Sequence, residues 1–277
     1  MKQPKCHKHK YVNRIKKKQQ KYSSSLSSYA WRSIRHLFSY KTGRPPKYHP
    51  RSILNGIFYI LRTGCQWRML PTEFPDWEAV YASFRRWAKK GLWKKLNDIL
   101  RMRIRIENNK NRRPTAAIID SQTVKTTEQG GERGYDAGKK IKVRKRHIIV
   151  DTMGLDVIVH PADIQDRDGA KLILEKAFNE FPSIELVWAD GGYRGSLVEW
   201  VENGFDKVLE IVKRNDDVKG FKLLPKRWIV ERTLGWIGRN RRLSKDYERF
   251  SSTEESWIYL GMISLMLNRM ERIKEAA

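Results

Sequence analysis

The sequence predicts an α/β protein: a mixed sheet with an antiparallel portion, flanked by helices and preceded by a small all-helical N-terminal region. Two observations predict it. Before Pro114 apolar residues recur near the helical period, and after it the period moves toward two, with strand-like runs alternating with helix-like ones.

Residues 1–22 read as a disordered basic arm, and the Ser-rich stretch 23–28 as its junction with the folded chain. Residues 28–40 carry Tyr29, Trp31, Ile34, Leu37 and Phe38 near helical spacing, and the tandem proline of Gly43-Arg-Pro-Pro-Lys47 ends that helix. A second helix over 50–62 turns Ile53, Leu54, Ile57, Phe58, Ile60 and Leu61 inward and stops at Thr63-Gly64. Asp76, as N-cap, opens a third with Trp77, Val80, Tyr81, Phe84 and Trp87 inward and Arg85, Arg86, Lys89 and Lys90 outward; Gly91 separates it from a fourth over 92–106. Short helices, a tight turn and an arginine-studded face suit a helix-turn-helix module, so 23–108 is expected to be a helical DNA-binding domain.

The second domain is expected over 114–277. Strands are predicted at 116–120, 147–150, 155–160, 184–189 and 207–212, the second and third forming a hairpin. Helices are predicted at 169–181, capped by Asp168, and at 196–203, 225–239 and 254–274. Gly-rich 130–138 reads as a connector or lid.

The charge points to a partner. With 57 basic against 31 acidic side chains the formal charge is +26, and the first 72 residues carry seventeen Lys or Arg and no carboxylate. Further clusters lie at 139–146, with six cations in eight residues, and at Arg239-Asn-Arg-Arg242. Such one-sided charge self-repels unless a polyanion neutralises it, and double-stranded DNA is the expected partner. Lys139, Lys140, Lys142 and Arg144 of the first cluster, Arg239, Arg241 and Arg242 of the second with Arg227 before it, and Arg85 and Arg86 of the third helix are its candidate contacts. The sequence has no apolar run of 18 residues and no signal-like N-terminus, and its two cysteines, Cys6 and Cys65, are too few for a disulfide framework. No membrane association and a cytoplasmic, DNA-associated location are expected.

Three carboxylates stand where chemistry could use them. Asp120 closes an apolar strand on the side of Ala116 and Ile118. Asp190 closes another and is followed by Gly191-Gly192, which permits a sharp turn; the carboxyl ends of strands form the ligand crevice of open sheets. Glu231 lies on a helix in one row with Arg227, Gly238 and Arg242. Each also has an ordinary reading, as turn former or as an i,i−4 ion pair. Together they could serve phosphodiester chemistry, where two divalent ions activate the attacking oxygen and stabilise the leaving one. Mg²⁺ takes oxygen ligands and shares substrate phosphates, so a few carboxylates suffice.

At these residues the sequence resembles a family. Asp120-Ser-Gln-Thr-Val-Lys125, Trp188-Ala-Asp-Gly-Gly-Tyr-Arg-Gly195 and the stretch from Arg227-Trp-Ile-Val-Glu231 to Leu243 resemble the three motif blocks of bacterial insertion-sequence DDE transposases, group five. Gly43-Arg-Pro-Pro-Lys47 and Arg62-Thr-Gly-Cys-Gln-Trp-Arg-Met-Leu-Pro71 resemble that family's N-terminal domain. The resemblance implies an RNase H-like domain in which Asp120, Asp190 and Glu231 bind two Mg²⁺, with Mn²⁺ able to substitute. It also implies cleavage of element ends, transfer of the freed 3′-hydroxyl to target DNA, and a homodimer in the DNA complex. The related pattern has Tyr three positions before Arg227 and Lys seven after Glu231; Leu224 and Gly238 stand there instead, which leaves the phosphate-gripping role to Arg239 or Arg242. A metal-dependent nuclease without strand transfer and a DNA-binding regulator with an inactive catalytic domain are the alternatives.

Overall fold

A computed structural model describes residues 22–38, 46–129, 131–136, 140–152, 155–212 and 228–276. The basic arm up to residue 21, Lys139, Leu224 and Arg227 lie outside the described residues.

Four helices precede the sheet: α1 (Ser28–Ile34), α2 (Pro50–Thr63), α3 (Trp77–Lys89) and α4 (Leu92–Glu107). The Ser27 hydroxyl caps α1 by accepting from the Ala30 N–H at 3.0 Å. The helix predicted over 28–40 tightens into a 3-10 turn at Arg35–Phe38. Helix α2 starts on Pro50, which has no N–H to lose at a first-turn position, and ends at Gly64, whose φ of 70° is the left-handed conformation that suits glycine. Asp76 stands at the N-cap of α3 but makes no capping bond; its carboxylate instead accepts from Lys47 Nζ at 2.9 Å and from the Tyr48 hydroxyl.

The sheet is built from β1 (Ala116–Lys125), β2 (Gly134–Asp136), β3 (Ile141–Val150), β4 (Leu155–Pro161), β5 (Leu186–Ala189) and β6 (Val208–Ile211). Helix α5 (Asp166–Glu180) follows β4, α6 (Ser196–Phe205) joins β5 to β6, and α7 (Trp228–Gly238) and α8 (Ser251–Ala276) follow β6. β3 pairs antiparallel with β1 on one side and, on the other, with β4 and the short β2; β5 adds parallel to β1 and β6 parallel to β5. Long antiparallel strands followed by two parallel ones, with helices on both faces, form the mixed, helix-flanked sheet that the sequence predicts.

Three expectations need correction. β1 does not end at Asp120 but runs on to Lys125, because Ser121 to Lys125 continue the ladder with β3 after the parallel pairing to β5 stops at Ile118. Helix α5 starts at Asp166 with Gln165 as N-cap, so Asp168 lies within its first turn and does not cap it. The glycine-rich connector contains a strand, β2, across from Ile141–Val143.

Strand alternation sends neighbouring residues into two cores. Ile118, Ile148, Val150, Val157 and Val159 face one, shared with α1 to α4, α7 and α8. Ala117, Ile119, Ile149 and Val187 face the other, filled by Ala170, Ile173, Leu174 and Phe178 of α5 and Leu197 and Val201 of α6. Within the first core Trp257 of α8 is fully buried and stacks on Phe84 of α3 with ring centroids 4.6 Å apart. The N-terminal helices thus pack on the helix that also covers the sheet. Each fully buried aliphatic side chain in such a core contributes about 1.5–3 kcal/mol.

Candidate active site

The parallel register of β1 and β5 pairs Ile118 with Trp188, and two residues further along each strand come Asp120 and Asp190. Adjacent strands lie about 4.8 Å apart. The two aspartates therefore leave equivalent positions of neighbouring strands, at the carboxyl end of β5 and at the end of its pairing with β1. One oxygen of each is held by backbone: Asp120 Oδ1 accepts from the Ser121 N–H and Asp190 Oδ1 from the Gly192 N–H, both at 2.8 Å. A Cβ on Gly192 would come 3.1 Å from Asp190 Oδ1, so glycine there leaves room for the carboxylate.

Glu231 sits in the first turn of α7 and is exposed. That helix packs on β1 and β3 through Ile229, Val230 and Ile237, which share a core with Ile118 and Ile148. It thus covers the sheet face toward which Ile118 points and, by alternation, Asp120 as well. Among the described residues no three His, Cys, Asp or Glu side chains come together as a metal-holding group. The structure brings Asp120 and Asp190 together and sets Glu231 on the helix over the same face, without closing a three-carboxylate cluster.

Beneath Asp190 lies a polar network that sequence reading missed. Tyr193, three residues on, is buried, and its hydroxyl is 3.1 Å from His147 Nε2; His147 Nδ1 is 2.7 Å from His160 Nε2, and His160 Nδ1 is 2.8 Å from the Pro161 carbonyl. A carbonyl only accepts, so His160 Nδ1 donates to it, His160 Nε2 accepts from His147 Nδ1, and His147 Nε2 accepts from the Tyr193 hydroxyl. Both imidazoles are then neutral. Burial, followed by the neighbouring His160, pulls His147 down to about 3. Burial also raises Tyr193 well above the usual phenol value; Asp120, Asp166 and Asp190 push it the same way and Ser121 opposes. The Ser121 hydroxyl donates to Asp166, which also accepts from Lys145 Nζ at 3.0 Å. Two histidines in a strand-like, otherwise apolar pattern were the available sequence signal.

The cation candidates divide. Lys140, Lys142, Arg85, Arg86, Arg239 and Arg241 are exposed. Arg144 is not a surface cation. It is 1% exposed, Nη1 bonds Asp246 at 2.8 Å and the Glu248 carbonyl at 2.9 Å, Nη2 bonds the Arg249 carbonyl, and Nε bonds the Glu132 carbonyl. Its neighbours are similarly committed, Lys145 to Asp166 and Arg146 to the buried Glu254. Most of the 139–146 run visible in the structure is therefore interior ion pairing, not a DNA-facing surface. Arg242 is half-buried, bonds Glu248 and lies over the rings of Tyr247 and Trp257, which ties it to the loop before α8.

The family model described as transposase DDE domain matches residues 111–267, and a model for transposases of the IS4/5 family matches 26–97. The chain belongs to the DDE transposase family. An uncharacterized 16.2 kDa protein of insertion element IS402 from Burkholderia cepacia is 29% identical over 86 residues, which is 30% of this chain and 57% of that protein. The chain thus spans little more than half the length of this curated relative. Among solved structures, the Mos1 strand transfer complex is 11% identical, with 86% of this chain and 81% of that chain covered at a TM-score of 0.30. The Mos1 mariner paired end complex with Mn is likewise 11% identical, with 97% and 91% covered at 0.32. Among the described residues no helix is long and apolar enough to cross a membrane.

Proposed function

We propose that the protein is a DNA transposase that binds element ends, cleaves phosphodiester bonds and joins the freed 3′-hydroxyl to target DNA. The observation that carries this reading is the in-register pair Asp120 and Asp190 on adjacent parallel strands of a DDE-family chain. Two hard carboxylates side by side suit Mg²⁺, which needs only one or two from the protein when substrate phosphates complete its shell, and Glu231 would add a third from α7. Bound there, a divalent ion pair would supply charge stabilisation to the attacking and leaving oxygens.

The chain's own residues supply the rest. The Ser121 and Gly192 N–H groups orient the two aspartates, and the Tyr193–His147–His160 relay anchors the turn behind Asp190. Exposed Lys140, Lys142, Arg239 and Arg241 hold DNA phosphates around the centre, while Arg85 and Arg86 of α3 serve end recognition by residues 23–108. Residues 114–277 carry the chemistry. Joining two ends requires two copies on the DNA, so a homodimer is expected in that complex.

The test is cleavage and joining of end-bearing duplex with Mg²⁺. Wild type should cut and join, and Asp190→Ala should bind the duplex with unchanged affinity yet cut nothing. Cutting without joining would leave a nuclease, and binding without any cutting by wild type would leave a regulator; either outcome overturns the proposal.

A further inference from the structure

A cavity of about 410 Å³ opens between the N-terminal helices and the C-terminal pair, lined by residues of α2, the end of α7 and α8. Four of its lining residues are arginines, Arg62, Arg239, Arg269 and Arg272, and none is Asp or Glu. Among the described residues no carboxylate forms an ion pair with any of the four. The chain before Glu73 contains no acidic residue, so the N-terminal arm cannot neutralise them either.

The cost of this arrangement is visible at Trp236. Arg269 lies over its ring at 4.2 Å from the centroid and Arg232 at 4.4 Å, so two guanidiniums share one indole. Burial, and then the nearby Arg232, lowers the pKa of Arg269. Like charges gathered in a half-buried cleft are unfavourable unless an anion sits among them. Arg62 also donates to the Arg239 carbonyl at 3.1 Å, which fixes α2 against the end of α7.

We infer that this cavity seats a backbone phosphate of double-stranded DNA, gripped jointly by Arg62, Arg239, Arg269 and Arg272. Planar guanidiniums suit phosphate oxygens, and the Asn268 amide adds an uncharged donor. Arg239 lies eight residues beyond Glu231, about 12 Å along the helix axis. The site would thus hold the duplex a few base steps from the carboxylates and join the N-terminal helices to that grip. The inference rests on the transposase reading.

The experiment measures binding of a labelled duplex to the full chain over a series of NaCl concentrations, for wild type, Arg239→Ala/Arg272→Ala and Lys171→Ala, the last on the opposite sheet face. Each phosphate contact contributes about 0.9 to the slope of log affinity against log salt, so a double variant that releases this one phosphate should lose about 0.9 from the slope and on the order of 8-fold in affinity at 0.1 M salt. Lys171→Ala should match wild type. Should the double variant fail to fold, Arg272→Glu on an exposed side chain gives the same readout. A double variant with the wild-type slope overturns the inference while leaving the transposase reading intact if wild type still cuts DNA. A wild type that binds no duplex removes both. Inorganic phosphate that raises the unfolding temperature as much as duplex does, with an unchanged slope, would assign the cavity to a small phosphate and overturn the DNA proposal.

Discussion

Replacing Arg144 with Met separates two meanings of a basic sequence run. The guanidinium is 1% exposed and its partner Asp246 is fully buried, with 2.8 Å between Nη1 and Oδ2. Removing the cation leaves the aspartate without its counter-ion in a low-dielectric interior, which costs about 3–5 kcal/mol, about a fifth or more of a typical domain's stability. The carbonyls of Glu132, Glu248 and Arg249 lose a donor as well. Arg144→Met/Asp246→Leu removes both charges and should lose less than the sum of the single changes, with a coupling of about 0.5–3 kcal/mol. Urea unfolding followed by tryptophan fluorescence measures this, and the salt slope of DNA binding should not move. An Arg144→Met protein stable to within about 0.5 kcal/mol of wild type, with a slope smaller by about one, would refute the reasoning and restore Arg144 to the DNA surface.

Other consequences follow from buried groups. His147 is held neutral by burial down to about 3, whereas the unfolded chain takes up a proton at the ordinary imidazole value, so stability is lost as pH falls from there toward 3. His147→Gln should flatten that acid limb in a pH series of urea midpoints; an unchanged limb would contradict the relay. Glu254 has the opposite sign: burial outweighs Arg146 and pushes it up to about 8, so stability is lost as pH rises from the ordinary carboxylate range through 8, and Glu254→Gln should flatten this alkaline limb. At Gly169 a Cβ would meet His160 Nε2 at 2.4 Å and His147 Cε1 at 2.8 Å, so Gly169→Ala should cost about 1–3 kcal/mol in the same assay. Gly204→Ala on α6, where nothing lies within 4 Å, should gain about 0.5–1 kcal/mol, and a loss there would count against the described helix.

The sequence revealed what depends on local pattern. Period and punctuation located the helices to within a few residues, and alternation set Asp120 on the side of Ile118 and Asp190 on that of Trp188, while the pairing of the two strands is what puts them side by side. Non-local partners were hidden. Arg144 meets Asp246 across 102 residues and Arg146 meets Glu254 across 108, so cations that are interior struts looked like a solvent-facing cluster. Asp166 reads in the sequence as part of the Asp163, Asp166 and Asp168 cluster at a hairpin exit and helix start; its sharing with Lys145 and Ser121 is set by residues distant in the chain. The cleft arginines come from three separated segments, and only folding makes Arg62, Arg239 and Arg269 neighbours.

The claim that Asp120 and Asp190 jointly hold divalent metal is tested most directly by crystals soaked in Mn²⁺ and measured for anomalous scattering. A peak bridging the two carboxylates at about 2.1 Å from an oxygen of each, with Glu231 beside it, is the predicted result. Manganese bound elsewhere, with neither aspartate within coordination distance, would contradict it.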